Sequence, residues 1–170
     1  SVRRLGDKDL AVMSFRSNSY YDLARIGNVK SSSLGSSVYV SGFPLISQVV
    51  PFRTLRFLKG LVVSKLSRPA PDGYGFLYSN ATIPGMSGGG VFNASGELIA
   101  IHGRGETDIS LTEQEGVAVK TQTNMGMPLS DSLIAAIRSS GSVALKETPN
   151  PVVVKRKSEK FMGGISEINS

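Results

Sequence analysis

Thr82-Ile83-Pro84-Gly85-Met86-Ser87-Gly88-Gly89-Gly90 is the most informative stretch of this sequence. A serine hydroxyl is a useful nucleophile only on an exposed, sharply turned backbone, beside donors for the oxyanion that its attack creates. Glycine at position 85 lets the chain turn so that its N–H and that of Ser87 face one space. Gly88 and Gly89 leave room for the chain to run closely packed into a strand. On these residues alone an ordinary glycine–serine turn fits equally well, so the flanks have to decide.

Upstream, residues 74–78 read as a strand that follows a Pro71-Asp72-Gly73 turn. Downstream lies a hairpin, with Gly90-Val91-Phe92 and residues 97–102 flanking Asn93-Ala94-Ser95-Gly96. A strand-to-helix nucleophile elbow needs a helix after the serine, and this hairpin argues against it. Further out, residues 9–15 (DLAVMSF), 37–43 (SVYVSGF), 53–66 with a bend at Gly60, and 116–127 read as strands. Six strands between residues 37 and 127 suffice to close one small barrel. Ser130 and Asp131 cap a short helix through Ile137, with Leu133, Ile134 and Ile137 on one face.

The composition agrees with an all-β reading. In 170 residues, 40% are hydrophobic, and 19 glycines with 8 prolines point to many turns between short strands. The absence of cysteine excludes disulfides and thiolate zinc sites, and a single histidine excludes a multi-histidine metal site. No run of eighteen apolar residues is present, so no membrane span is expected. The net charge of +6 is scattered apart from Lys155-Arg156-Lys157, and reads as a basic surface rather than a nucleic-acid interface.

Three motifs together carry a resemblance. DLAVMSF from Asp9, GSSVYVSGFP from Gly35 and PGMSGGGVFN from Pro84 resemble the aspartate motif, the opening of the second barrel and the serine motif of trypsin-like serine endopeptidases. The likeness runs from about residue 5 to 137, is nearest to cyanobacterial trypsin-like peptidase domains, and hints at a secreted or periplasmic setting. It implies a trypsin-like six-stranded β-barrel, the second of two, over residues 36–140 with the C-terminal helix. Residues 1–35 would be the last strand of a missing first barrel and a linker, and residues 141–170 a disordered tail.

The resemblance also implies roles. Ser87 is the nucleophile, Gly85 and Ser87 supply oxyanion N–H groups, and Asp9, rather than neighbouring Asp7, orients the catalytic histidine. Met86 replaces the aspartate of digestive trypsins that pairs with a newly cut N-terminus, so that switch is not expected. The general base should precede the aspartate, yet only eight residues precede Asp9. The chain is therefore expected to lack an N-terminal barrel carrying that histidine, and to be inactive alone. No cofactor is implied; the partner is a peptide or protein substrate.

His102 lies after the serine, in Ala100-Ile101-His102-Gly103-Arg104-Gly105. By the resemblance this strand forms one wall of the primary specificity pocket, and Gly103 and Gly105 pair with the substrate backbone. Thr82 and His102 together resemble the carboxylate-binding pair of glutamyl endopeptidases. A hydroxyl and an imidazole both donate to a carboxylate, Ala81 offers no acid for a basic side chain, and Arg104 would assist. Preference for Glu is expected to weaken above neutral pH, as the imidazole loses its charge. An ordinary strand histidine fits the same pattern, and so does a peptide-binding module that adds a strand at residues 103–105 without cutting it.

Overall fold

The computed structural model describes residues 1–108 and 119–140. Val38 and Val40 alternate with outward Tyr39 in β3 (Ser37–Gly42), and both valines are fully removed from water. β3 pairs antiparallel with β4 (Arg56–Lys65) on one side and with β6 (Gly90–Asn93) on the other. β5 (Phe76–Tyr78), β7 (Leu98–Asp108) and β8 (Val119–Pro128) complete a closed barrel in the order β3-β4-β5-β8-β7-β6. The all-β, six-stranded expectation is met. Phe76, Tyr78, Met86, Val91 and Ile99 fill the interior around the two valines.

Several boundaries differ from the sequence expectation. The irregularity in β4 lies between Val62 and Ser64, not at Gly60. β7 runs on past His102 to Asp108, because β8 continues to pair with it through Arg104, Gly105, Thr107 and Asp108. The part of the last strand expected over residues 109–118 and the tail expected over 141–170 lie outside the described residues. The helix α1 (Asp131–Ser140) is three residues longer than expected, and the Ser130 Oγ accepts from the Leu133 N–H at 3.2 Å, as a capping serine should. Among the described residues no helix is long and apolar enough to cross a membrane.

The N-terminus is a two-stranded pair rather than one strand. β1 (Val2–Arg4) pairs antiparallel with β2 (Ala11–Met13). Val-Arg-Arg carries no apolar alternation, so nothing in its own sequence marks it as a strand; the ladder with β2 makes it one. Leu5, Leu10 and Val12 pack against Met127, Leu129 and Leu133, which fastens this pair to β8 and α1. Val2, Met13 and Phe15 remain about two-thirds exposed. Between the pair and the barrel the chain is polar and mostly irregular, touching β7 through a bridge from Ile26 to Leu98.

Candidate active site

Two tight turns in succession present Ser87. The first closes where the Met86 N–H donates to the Ile83 carbonyl at 3.2 Å, with Pro84 and Gly85 at its corners. The second closes where the Gly89 N–H donates to the Met86 carbonyl at 3.0 Å, with Ser87 and Gly88 at its corners. Gly85 has φ +95° and Gly88 φ +86°, the left-handed conformation that the third position of a type II turn demands. Met86, between the turns, is 1% exposed and sits in the barrel core, so it anchors the loop while the next residue, Ser87, stays exposed.

The main chain of β7 holds this loop from the other side. The His102 carbonyl accepts from the Gly88 N–H at 2.7 Å, and the His102 N–H donates to the Gly89 carbonyl at 2.8 Å. Among the described residues, nothing accepts from the N–H groups of Gly85 and Ser87, although their neighbours Met86, Gly88 and Gly89 all donate.

Asp9 lies in the short loop between β1 and β2, closed by the Leu5 N–H donating to the Leu10 carbonyl at 2.9 Å. Its own N–H donates to the Asp72 carbonyl at 3.0 Å, and the Tyr74 hydroxyl donates to its Oδ2 at 2.7 Å. A cavity of about 670 Å³ is lined by both Asp9 and Ser87, with Tyr74, Gly88 and His102 between them in its wall. Two residues far apart in sequence thus face one space.

A second cavity of about 600 Å³ opens beside it, and Ser87, His102, Gly103 and Arg104 line both. Thr82 and Gly105 line only the second, together with Ala81, Glu106 and Asn124. The expected pocket residues therefore share one space with Ser87. Their internal bonds differ from expectation. His102 is 3% exposed and its Nδ1 lies 2.7 Å from the Tyr78 hydroxyl. Burial holds its imidazole below the usual value and pushes the Tyr78 hydroxyl up, so the phenol stays protonated and the imidazole neutral at pH 7. The Thr82 hydroxyl donates to Asn124 Oδ1, while Asn124 Nδ2 donates to the Asn80 carbonyl. Arg104, expected to assist an acidic substrate, is paired with Asp72 at 2.6 Å and lies over the Tyr74 ring at 4.6 Å.

Tyr74, Tyr78 and Asn124 escaped the sequence reading. Residues 74, 76 and 78 alternate as Tyr, Phe, Tyr, so they share one face of a strand. Residues 74–78 are all buried, on both faces of this segment, and a buried tyrosine hydroxyl seeks a partner. The signal was there for the two tyrosines. Nothing in spacing marks Asn124. Asn80-Ala81-Thr82 matches the glycosylation sequon, but Asn80 is 1% exposed, which closes that site in the folded chain.

Residues 1–101 match the family model of the trypsin-like peptidase domain, and the chain belongs to that family. No curated protein matches it. Among solved structures it is similar to an HtrA-type protease, an AlgW variant with a tripeptide, at 18% identity and a TM-score of 0.56. The alignment covers 82% of this chain but 44% of that one, so the chain spans less than half the length of that protease.

Proposed function

We propose that this chain is the C-terminal portion of a serine endopeptidase, with Ser87 as nucleophile and Asp9 as the carboxylate that orients a histidine. The observation that carries this reading is the cavity lined by both Asp9 and Ser87, beside a loop whose Gly85 and Ser87 N–H groups have no acceptor among the described residues. The imidazole comes from residues N-terminal to Ser1. His102 is unsuited to act as that base, because its Nδ1 is held by Tyr78 and is not free for Asp9 to orient. Exposed Val2, Met13 and Phe15 suit packing against such an upstream barrel.

In the proposed reaction the Ser87 Oγ adds to the peptide carbonyl carbon while the imidazole takes the hydroxyl proton. The oxyanion accepts hydrogen bonds from Gly85 and Ser87 N–H. Collapse breaks the C–N bond, and the imidazolium returns its proton to the leaving amine. Water then adds to the Ser87 ester with the same imidazole as base, releasing the acid and the free hydroxyl. No cofactor takes part.

The substrate backbone lies along Gly103 to Gly105. β6 pairs with β7 only as far as Ile101, so beyond it the edge facing the Ser87 loop has no strand partner among the described residues. The side chain before the cleaved bond enters the second cavity, and a carboxylate there is met by His102. In the tautomer whose Nδ1 accepts from the Tyr78 hydroxyl, the neutral ring carries its proton on Nε2 and donates without a charge of its own. Thr82 joins only by turning its hydroxyl away from Asn124. The same free edge also suits a module that binds peptide without cutting it. Hydrolysis of a peptide by the protein with its upstream residues, lost by several powers of ten in Ser87→Ala, supports the enzyme. Peptide binding without any Ser87-dependent hydrolysis supports the module.

A further inference from the structure

Tyr74 lies beside Asp9 for a reason that the nucleophile loop does not explain. The residue is 2% exposed, yet its hydroxyl reaches the rim of the cavity and donates to Asp9 Oδ2 at 2.7 Å. It fits there because residue 103 is glycine. A Cβ on Gly103 would overlap the Tyr74 ring and its hydroxyl oxygen. The contacts around Asp9 then close on themselves. The Arg104 guanidinium lies over the Tyr74 ring at 4.6 Å and pairs with Asp72 at 2.6 Å, and the Asp72 carbonyl accepts the Asp9 N–H at 3.0 Å. Both main chain and side chain of Asp9 are held by this ring of neighbours.

We propose that Tyr74 is the positioning residue for Asp9, holding Oδ2 so that Oδ1 is left to accept from the imidazole that serves Ser87. The inference rests on the reading of Asp9 given above. Asp9 is exposed and sits on a short loop, so without a second tether its carboxylate would sample several rotamers. A carboxylate that swings loses the imidazole orientation that proton transfer needs. Gly103 has a part in this as well, by making room for the ring. Burial, then the bond to Asp9, push the Tyr74 hydroxyl up to about 12, so it remains a donor throughout the range in which a histidine base works.

The test is a double-mutant cycle on the protease with its upstream residues, using Tyr74→Phe, Asp9→Ala and the pair. Phenylalanine keeps the ring, and with it the packing against Gly103 and Arg104. The expected result is a kcat about tenfold lower in Tyr74→Phe with KM unchanged, and no further loss when Tyr74→Phe is added to Asp9→Ala. A wild-type kcat in Tyr74→Phe overturns the proposal and leaves Asp9 in its role. An equal tenfold loss on the Asp9→Ala background also overturns it, because Tyr74 would then act elsewhere. A wild-type kcat in Asp9→Ala overturns the reading of Asp9, and this proposal with it.

Discussion

The Nδ1 nitrogen of His102 and the hydroxyl of Tyr78 lie 2.7 Å apart inside the barrel, and both residues are almost wholly removed from water. This pairing gives the sole histidine of the chain a structural duty as well as a place in the pocket wall. Tyr78→Phe leaves a buried ring nitrogen without its partner and should cost about 1–3 kcal/mol. A urea titration of the two proteins checks this.

The same burial makes stability depend on pH. The folded imidazole titrates below its usual 6.5, whereas in the unfolded chain it titrates near that value. As pH falls below 6.5 the unfolded state gains its proton first, so this contribution to stability is full above 6.5 and is lost as pH falls toward the folded pKa. Urea midpoints measured from pH 7.5 to 5.5 should decline, and His102→Gln should flatten the decline. An equal decline in both proteins would place the titrating group elsewhere.

Gly85 is a position where the loop has no room for a side chain. Its φ of +95° is unsuited to a side chain, and a Cβ there would lie 2.6 Å from the Leu45 nitrogen. Gly85→Ala should turn this peptide and withdraw one of the two proposed oxyanion donors. The expected loss is about a hundredfold in kcat, with KM changed little. Steady-state kinetics on the protease with its upstream residues reads it; a KM effect with kcat preserved would remove Gly85 from the oxyanion role.

On the proposed reading of the pocket, specificity rests on the neutral state of His102. Cleavage after Glu should exceed cleavage after Gln by about tenfold, since a charged acceptor strengthens the bond from Nε2–H. His102→Ala should remove that difference while sparing apolar substrates relatively. A neutral donor does not lose a charge between pH 6.5 and 8.5, so the preference for Glu should stay level there. This differs from the sequence-based expectation of weakening above neutrality, because burial has already removed the charge. A peptide library varied at the residue before the cleaved bond measures both effects, and a profile led by Arg would reject the carboxylate pocket.

Much of the barrel was legible because its signals are local. Alternating Val38 and Val40, the Asn93 to Gly96 turn and the Ser130 cap each act within a few residues. The Pro84-Gly85 and Ser87-Gly88 turns were legible for the same reason, since positive φ selects glycine. What escaped depends on contacts across the fold. β1 is a strand because β2 lies beside it, and β7 continues past two glycines because β8 does. Tyr74 meets Asp9, and Thr82 meets Asn124, only after the barrel has closed. Residue types announced a partner in those cases; the chain's own spacing did not name it.

On the proposed function, Ser87 becomes a nucleophile when an upstream histidine joins Asp9. A fluorophosphonate probe applied to the protein with its upstream residues, and to residues 1–170 alone, tests it most directly, with mass spectrometry locating the adduct. The expected result is one adduct on Ser87 in the longer protein, abolished by Ser87→Ala and greatly slowed by Asp9→Ala, with residues 1–170 at background. Brisk labelling of Ser87 in residues 1–170 alone would place the base within this chain, and an adduct on another serine would remove Ser87 from its role.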